Sequence, residues 1–169
     1  MAGRGGDRHA ERRRHVRLIL PGAPPDPGPE RDHSARSRAF AEATGLQPSA
    51  RLVGYGVAAV EPGLFGLGPV PAVRRALERA GWAIGDLERI EINEAFAAVP
   101  LAVAQELGLP EDIINPEGGA IAHGHPIGAT GAVLVTRLLH GMRRDGLRRG
   151  MVTLCIGGGL GIALALEAA

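Results

Sequence analysis

Two apolar stretches near the end of the chain, 151–156 and 160–166, are separated by three consecutive glycines. Apolar runs of this length predict buried β-strands, and a short glycine turn between them predicts an antiparallel hairpin. A hairpin of this kind must belong to a larger sheet, because two strands alone are not stable in water. The chain is therefore expected to fold around a sheet that ends in this pair.

The patterns upstream of the hairpin predict strands alternating with helices. Strands are predicted at 51–60 and 87–92, and helices at 37–44, 71–80, 94–107 and 126–144. Gly45 and Gly81 mark two helix ends, and Pro100 indicates that the third helix begins late or is kinked. This order predicts an α/β domain with a mixed sheet. The glycine run does not predict a dinucleotide site, because too few residues follow it to complete a βαβ unit.

The first 36 residues differ in composition from the rest. They are rich in arginine, proline and glycine and poor in apolar residues, which predicts a disordered tail at 1–36 and a folded domain at 37–169. The tail is either a solvated extension or the product of a wrongly chosen start codon. A nucleic-acid-binding arm is the less favoured interpretation, because acidic residues interrupt the arginines.

Composition excludes several classes of function. The chain has 19 Lys+Arg and 18 Asp+Glu, so its charge gives no argument for binding nucleic acid or a membrane. None of the basic residues is lysine, which excludes Schiff-base catalysis and a P-loop lysine. The single cysteine favours a reducing compartment, and no apolar stretch has the length of a membrane span. We therefore expect a cytoplasmic protein without nucleic-acid or membrane partners.

Polar side chains stand where two predicted strands end. Asn93 could be the N-cap of the following helix, or an amide that holds a water or a substrate oxygen. Cys155 precedes the glycine turn, whose backbone N–H groups could stabilise an oxyanion. It is either an inert buried thiol or, beside a histidine, a nucleophile or a proton-transfer group.

A third polar site lies in segment 115–131, which contains five glycines and the pair His123 and His125. The glycines would let the backbone approach a ligand closely. His125 precedes Pro126 at a predicted helix start, where negative charge is favoured. It is either an ordinary satisfied histidine or a catalytic group. The H-x-H pair has no third ligand near it in the sequence, so no metal is expected.

Three motifs in series resemble the carboxy-terminal half of thiolases. They are Asn93-Glu94-Ala95-Phe96, the segment 118–126 that ends in Gly124-His125-Pro126, and the Cys-Ile-Gly-Gly-Gly-Leu-Gly of 155–161. The resemblance implies a thiolase-like C-terminal domain, with a layered mixed sheet of five strands and helices. It also implies that the sheet lacks its first strand and helix here, with 15–20 as the only candidate replacement strand. An empty strand position would make the isolated chain marginally stable or prone to aggregation.

The resemblance further implies a reaction. Thiolases form or cleave 3-ketoacyl-CoA through an acyl-cysteine, with CoA thioesters as substrates and no other cofactor. By this resemblance His125 activates the nucleophilic cysteine, Cys155 is the second thiol that moves a proton, and Asn93 holds a water in the first oxyanion hole. The other implied contacts are the oxyanion-hole N–H of Gly157 and the substrate-binding residues Phe96, Gly124 and Gly158.

The family's nucleophilic cysteine belongs to a motif of the amino-terminal half, which these 169 residues do not contain. The one cysteine matches the other catalytic position. We therefore expect this fragment to be inactive alone, and to need an amino-terminal thiolase half or a thiolase-type oligomer as its partner. The alternative is an inactive remnant, from a truncated gene or a mis-started reading frame.

Overall fold

The computed structural model describes residues 16–19 and 34–169. The strands are β1 (Val16–Ile19), β2 (Ser34–Ser37), β3 (Ala50–Ala59), β4 (Arg89–Ile92), β5 (Arg149–Ile156) and β6 (Leu160–Ala168). The α-helices are α1 (Arg38–Thr44), α2 (Pro69–Ala80), α3 (Ala98–Leu107), α4 (Ala120–His123) and α5 (Thr130–Asp145). Short 3-10 segments are Pro62–Leu67, Ile84–Asp86, Glu111–Ile113 and Gly157–Gly159.

The described strands form one sheet in the order β2-β1-β3-β6-β5-β4. β5 and β6 form the antiparallel hairpin that the glycine run predicts, with Cys155 opposite Gly161. β4 is parallel to β5, and the other neighbouring strands are antiparallel. The predicted mixed α/β sheet is thus confirmed, with six strands in place of five.

Helices cover both faces of the sheet, and each face has its own apolar core. α2 and α3 pack on the face that includes Met151, while α5 packs on the face that includes Val152. Successive residues of a strand point to opposite faces, which is why these neighbours belong to different cores. The contact with α2 is close, since a Cβ at Gly56 would lie 1.9 Å from the carbonyl oxygen of Ala72.

The predicted helices 37–44, 71–80 and 94–107 are present, with shifted starts. Ser37 caps α1 by accepting a hydrogen bond from the backbone N–H of Phe40, and Gly45 ends it in the left-handed conformation. α3 begins at Ala98, so Pro100 falls in its first turn, where backbone N–H groups have no partner within the helix. No helix in the described part of the chain is long and apolar enough to cross a membrane.

The prediction of a helix start directly after His125 is wrong. α5 begins at Thr130, and residues 126–129 form a turn in which the N–H of Ala129 donates to the carbonyl of Pro126 at 2.8 Å. Periodicity does not separate such a turn from a helix, because both close on a carbonyl a few residues earlier. His125 therefore lies in a linker between α4 and α5, and the helix-dipole argument does not apply to it.

β1 and most of β2 lie within residues 1–36, the segment predicted to be a disordered tail. β1 is antiparallel to β2 and to the start of β3, with Val16 opposite Leu52. β1 thus extends the sheet beyond β3, outside the four strands β3, β6, β5 and β4, and it is part of the 15–20 segment named as the only candidate replacement strand. The backbone groups at the edge of β3 accept this strand whatever the composition around it. The disorder predicted for 1–15 and 20–33 lies outside the described residues.

Candidate active site

Asn93 lies at the carboxyl end of β4 and is completely buried. Its backbone N–H donates to the carbonyl of Thr153, so that β4 and β5 end side by side. Its side-chain nitrogen Nδ2 lies 3.3 Å from Nε2 of His125. The N-cap interpretation of Asn93 is wrong, because α3 begins only at Ala98 and has no side-chain cap.

The imidazole of His125 bridges Asn93 and Thr130. Nδ1 lies 2.6 Å from the hydroxyl of Thr130, which in turn donates to the carbonyl of Pro126 at 2.9 Å. Each edge of the ring thus has a polar partner, although the residue as a whole is exposed. No sequence signal points to Thr130, because a hydroxyl five residues after a histidine is not distinctive by itself.

Glu94 and Gly119 hold the loop that carries His125. The carboxylate of Glu94 accepts hydrogen bonds from the backbone N–H of Ile121 at 2.9 Å and from the side chain of Asn115 at 3.3 Å. A Cβ at Gly119 would lie 2.2 Å from the carboxyl carbon of Glu94, so only glycine leaves room for this contact. Both residues belong to predicted motifs, but only the fold shows that they touch.

Asn115 continues the sheet beyond β4. Its side chain accepts from the N–H and donates to the carbonyl of Ile92, each at 2.8 Å, as a neighbouring strand would. Among the described residues it is the one non-glycine with positive φ, 44°, a conformation that asparagine adopts more readily than most residues. The loop is therefore tied to the strand end that carries Asn93.

A buried ion-pair network lies on the α5 face beside this loop. Arg89 and Glu91, both inaccessible on β4, pair at 2.7 Å, and Arg89 also binds Glu117 of the loop. Arg137 of α5 binds Glu91 at 3.4 Å and the carbonyl of Gly118 at 2.5 Å. Burial alone would lower the pKa of Arg89, but its hydrogen bonds with Glu117 and Glu91 leave that pKa raised. The hydrogen bond from Arg89 lowers the pKa of Glu117.

Cys155 lies near the same end of the sheet, at the carboxyl end of β5. Its side chain is partly buried against the core that contains α2, and this burial raises the pKa of the thiol. Among the described residues no hydrogen bond joins it to His125. The structure thus brings Asn93 and His125 into contact, and places Cys155 close to Thr153, the backbone partner of Asn93.

The remaining predicted site residues are exposed. Gly157 and Gly158 lie in the 3-10 turn after Cys155, and Gly124 ends α4 with a φ of 92°. Phe96 is 63% exposed and contacts Phe65 edge to face, with ring centroids 6.0 Å apart. Both rings line an apolar cavity of about 430 Å³ between the 62–67 segment and α3. The described residues contain no group of three or more His, Cys, Asp or Glu that could hold a metal ion.

Comparison with known proteins identifies the family. A family model described as thiolase, C-terminal domain, matches residues 46–168. This chain belongs to the thiolase family. The resemblance drawn from the three motifs is thereby confirmed.

The relatives of this thiolase chain are much longer than the chain itself. The acetyl-CoA acetyltransferase of Shinella zoogloeoides is 53% identical over 131 residues, which cover 78% of this chain and 33% of the relative. The 3-oxoadipyl-CoA/3-oxo-5,6-dehydrosuberyl-CoA thiolase of Escherichia coli (strain K12) is 55% identical over 133 residues, which again cover 78% of this chain and 33% of the relative. The crystal structure of the Bacillus anthracis acetyl-CoA acetyltransferase matches with a TM-score of 0.78 and 48% identity, over 80% of this chain and 34% of that one. The thiolase chain spans about a third of the length of the curated relatives it matches.

Proposed function

We propose that this chain supplies the base and the second thiol of a thiolase active site, and that the nucleophilic cysteine comes from polypeptide outside these 169 residues. The observation that carries the proposal is the hydrogen-bonded series Asn93, His125 and Thr130, which holds an exposed imidazole at the carboxyl end of β4, the strand that pairs with the Cys155 strand β5. The only cysteine of the sequence is used by this assignment, so the acyl-carrying cysteine must lie elsewhere.

The proposed reaction is thiolytic cleavage of a 3-ketoacyl-CoA, or the reverse Claisen condensation. A cysteine nucleophile at neutral pH needs a base, and Nε2 of His125 is the nitrogen suited to take its proton. The imidazolium that results can donate to the thioester oxyanion, together with a water held by Asn93. The Asn93 oxygen Oδ1 has no hydrogen-bond partner among the described residues, which suits such a water.

Cys155 would act as the second acid and base. Its pKa is raised by burial, so the thiol holds its proton at neutral pH and can deliver it to a carbanion or to the CoA thiolate. The negative charge on the second carbonyl oxygen would be stabilised by the exposed backbone N–H of Gly157, next to the strand end. Gly124 and Gly158 would allow the thioester to approach the backbone.

The proposed substrates are CoA thioesters, with no additional cofactor. The apolar cavity lined by Phe96 and Phe65 is where we place the acyl chain, because its walls offer carbon atoms and few polar groups. We also propose that the protein works in the cytoplasm, as its single cysteine and the absence of disulfide partners indicate.

The partner that we propose is an amino-terminal thiolase half. Ile121 and Ile127, which flank His125 in the same loop region, are 66% and 85% exposed, and Phe96 is similarly open. Large exposed apolar side chains of this kind are costly to leave in water. A second polypeptide that covers them would also exclude water from the reaction.

The test is an assay of acetoacetyl-CoA cleavage in the presence of CoA. The chain is measured alone, and mixed with a separately produced amino-terminal two-thirds of the Shinella zoogloeoides relative. We expect activity only in the mixture, and its loss in His125→Ala and Cys155→Ala. His140→Ala is the matched control, because His140 is an exposed histidine on α5 outside the site.

Two other results would contradict the proposal. Activity of the chain alone would mean that Cys155 serves as the nucleophile. Absence of activity in a mixture that forms a stable complex would favour the second candidate, an inactive remnant of a thiolase gene.

A further inference from the structure

We propose that Thr130 is a positioning residue that holds His125 in the tautomer with its proton on Nδ1, which leaves Nε2 as the unprotonated nitrogen. Thr130 is the first residue of α5 and is 1% exposed. The expected effect of Thr130 on catalysis rests on the function proposed above. The tautomer of His125 can be measured in this chain without any partner.

The hydroxyl of Thr130 has two neighbours and one proton. That proton is donated to the carbonyl of Pro126, four residues earlier, at 2.9 Å. A threonine hydroxyl has only one hydrogen to donate, but its lone pairs can accept. While Thr130 donates to Pro126, its hydroxyl can act only as an acceptor toward Nδ1 of His125, 2.6 Å away, and this arrangement places the ring proton on Nδ1.

The opposite edge of the ring leads to the same assignment. The nitrogen that faces Nε2 is Nδ2 of Asn93, a donor, at 3.3 Å. A proton on Nε2 would set two donors against each other, whereas a lone pair there accepts the amide N–H. In this orientation the unpartnered atom of the buried amide is the oxygen Oδ1, and unsatisfied carbonyl oxygens are commoner in proteins than unsatisfied N–H groups.

The competing tautomer needs two coordinated changes. Thr130 would have to turn its proton from Pro126 to Nδ1, and the Asn93 amide would have to rotate so that Oδ1 faces Nε2. The carbonyl of Pro126 also accepts the backbone N–H groups of Ala129 and Thr130, at 2.8 and 2.9 Å, so it would not be left unpaired. This competing arrangement is the one that the experiment must distinguish.

The tautomer matters because it decides which nitrogen can take a proton. With Nδ1 already protonated, Nε2 can receive the proton of a nucleophile without rotation of the ring, and the Asn93 amide must then release its hydrogen bond to Nε2. The imidazolium that forms keeps its Nδ1–H bond to Thr130, because that hydroxyl already accepts there. Thr130 thus supports the neutral and the charged state of His125 with one unchanged hydrogen bond.

The direct test is the tautomer of His125 in the 15N-labelled chain, measured by long-range proton–nitrogen correlation NMR at alkaline pH, where imidazoles are neutral. His125→Gln identifies the signals of His125 among those of the other histidines. We expect Nδ1–H in the wild type and in Thr130→Ser, which keeps the hydroxyl. Thr130→Val, nearly isosteric but without the acceptor, is expected to weaken this preference, so that a measurable share of the Nε2–H tautomer appears although Asn93 is unchanged.

An Nε2–H tautomer in the wild type would overturn the proposal, and so would an unchanged Nδ1–H tautomer in Thr130→Val. Thr130→Ala replaces the valine variant if the latter does not fold, since it removes the hydroxyl without requiring a methyl group to fit in its place. The wild-type spectrum decides the tautomer in either case.

Activity provides a second readout in the reconstituted enzyme. Thr130→Val should lower kcat about five- to tenfold, the loss expected for one hydrogen bond, with KM unchanged, and Thr130→Ser should restore it. A change in KM alone would contradict a role in positioning the base. If reconstitution yields no enzyme, the proposed function fails while the NMR result stands or falls independently.

Discussion

Helices pack on the two faces of the sheet through different kinds of contact. The α2 face packs backbone against backbone, and Gly56 leaves no room for even one methyl group between β3 and α2. The α5 face combines an apolar core with buried charges, because Arg89 and Glu91 on β4 point away from the core that contains Ile90 and Ile92. Close backbone contact therefore characterises the α2 face and buried charge pairing the α5 face, and the charged network reaches the loop of His125 through Glu117 and Gly118.

The largest expected effect comes from removing Arg89. Arg89→Met leaves Glu91 buried with only the longer contact to Arg137, and breaking such a pair costs about 3–5 kcal/mol of unfolding free energy. Chemical denaturation of the purified chain measures the loss. The double variant Arg89→Met with Glu91→Leu should recover most of it, because no charge is then left unpaired. A double variant as unstable as the single one would contradict the charge-based account of this face.

Next in size is a steric change on the α2 face. Gly56→Ala would bring a Cβ to 1.9 Å from the carbonyl oxygen of Ala72, and overpacking of this kind costs about 1–3 kcal/mol. Gly85→Ala is the matched control, since a Cβ there meets nothing within 4 Å. Equal midpoints of thermal unfolding for the two variants would show that the close contact is not as the structure has it. The His125 tautomer should stay unchanged in Gly56→Ala.

A smaller effect depends on pH. Hydrogen bonding to Arg89 lowers the pKa of Glu117 below its usual 4.5, so its ion pairs stabilise the fold fully above pH 4.5. This contribution is lost as the pH falls through the lowered pKa of the folded state. Glu117→Gln should therefore lower Tm near neutral pH by about 1–3 °C, a size set by solvent screening, and the difference should vanish in acid. A difference that persists at pH 2 would indicate a steric cause.

The smallest expected effect is on the reactivity of Cys155, whose side chain packs against the core of the α2 face. Because burial raises its pKa above the usual 9.0, alkylation by iodoacetamide should be slow at pH 7 and accelerate about tenfold per pH unit up to pH 9. Free glutathione is the control, and its rate should level off at lower pH than that of Cys155. If the rate for Cys155 instead levelled off at a lower pH than the rate for glutathione, the thiolate would have to be stabilised by a positive charge.

The sequence predicted most of the elements but few of their exact starts. The β5–β6 hairpin follows directly from two apolar runs and three glycines, because short-range turn chemistry decides it. The start of α5 was placed four residues early, since a turn and a helix share the same local pattern. β1 was assigned to a disordered tail, because its pairing with β3 depends on a partner distant in the sequence.

For the site, the sequence by itself determined the residue types: an asparagine and a cysteine at strand ends, and a histidine in a glycine-rich linker. Motif order alone was enough to indicate the thiolase family, and that family match now covers residues 46–168. The tertiary structure alone decided which of these residues meet, joining Asn93 to His125 and adding Thr130, Glu94 and Asn115 as their supports. The physical reason is that hydrogen bonds act over about 3 Å, and only the fold brings Asn93, which is distant in the sequence, and the correctly turned Thr130 within that distance of His125.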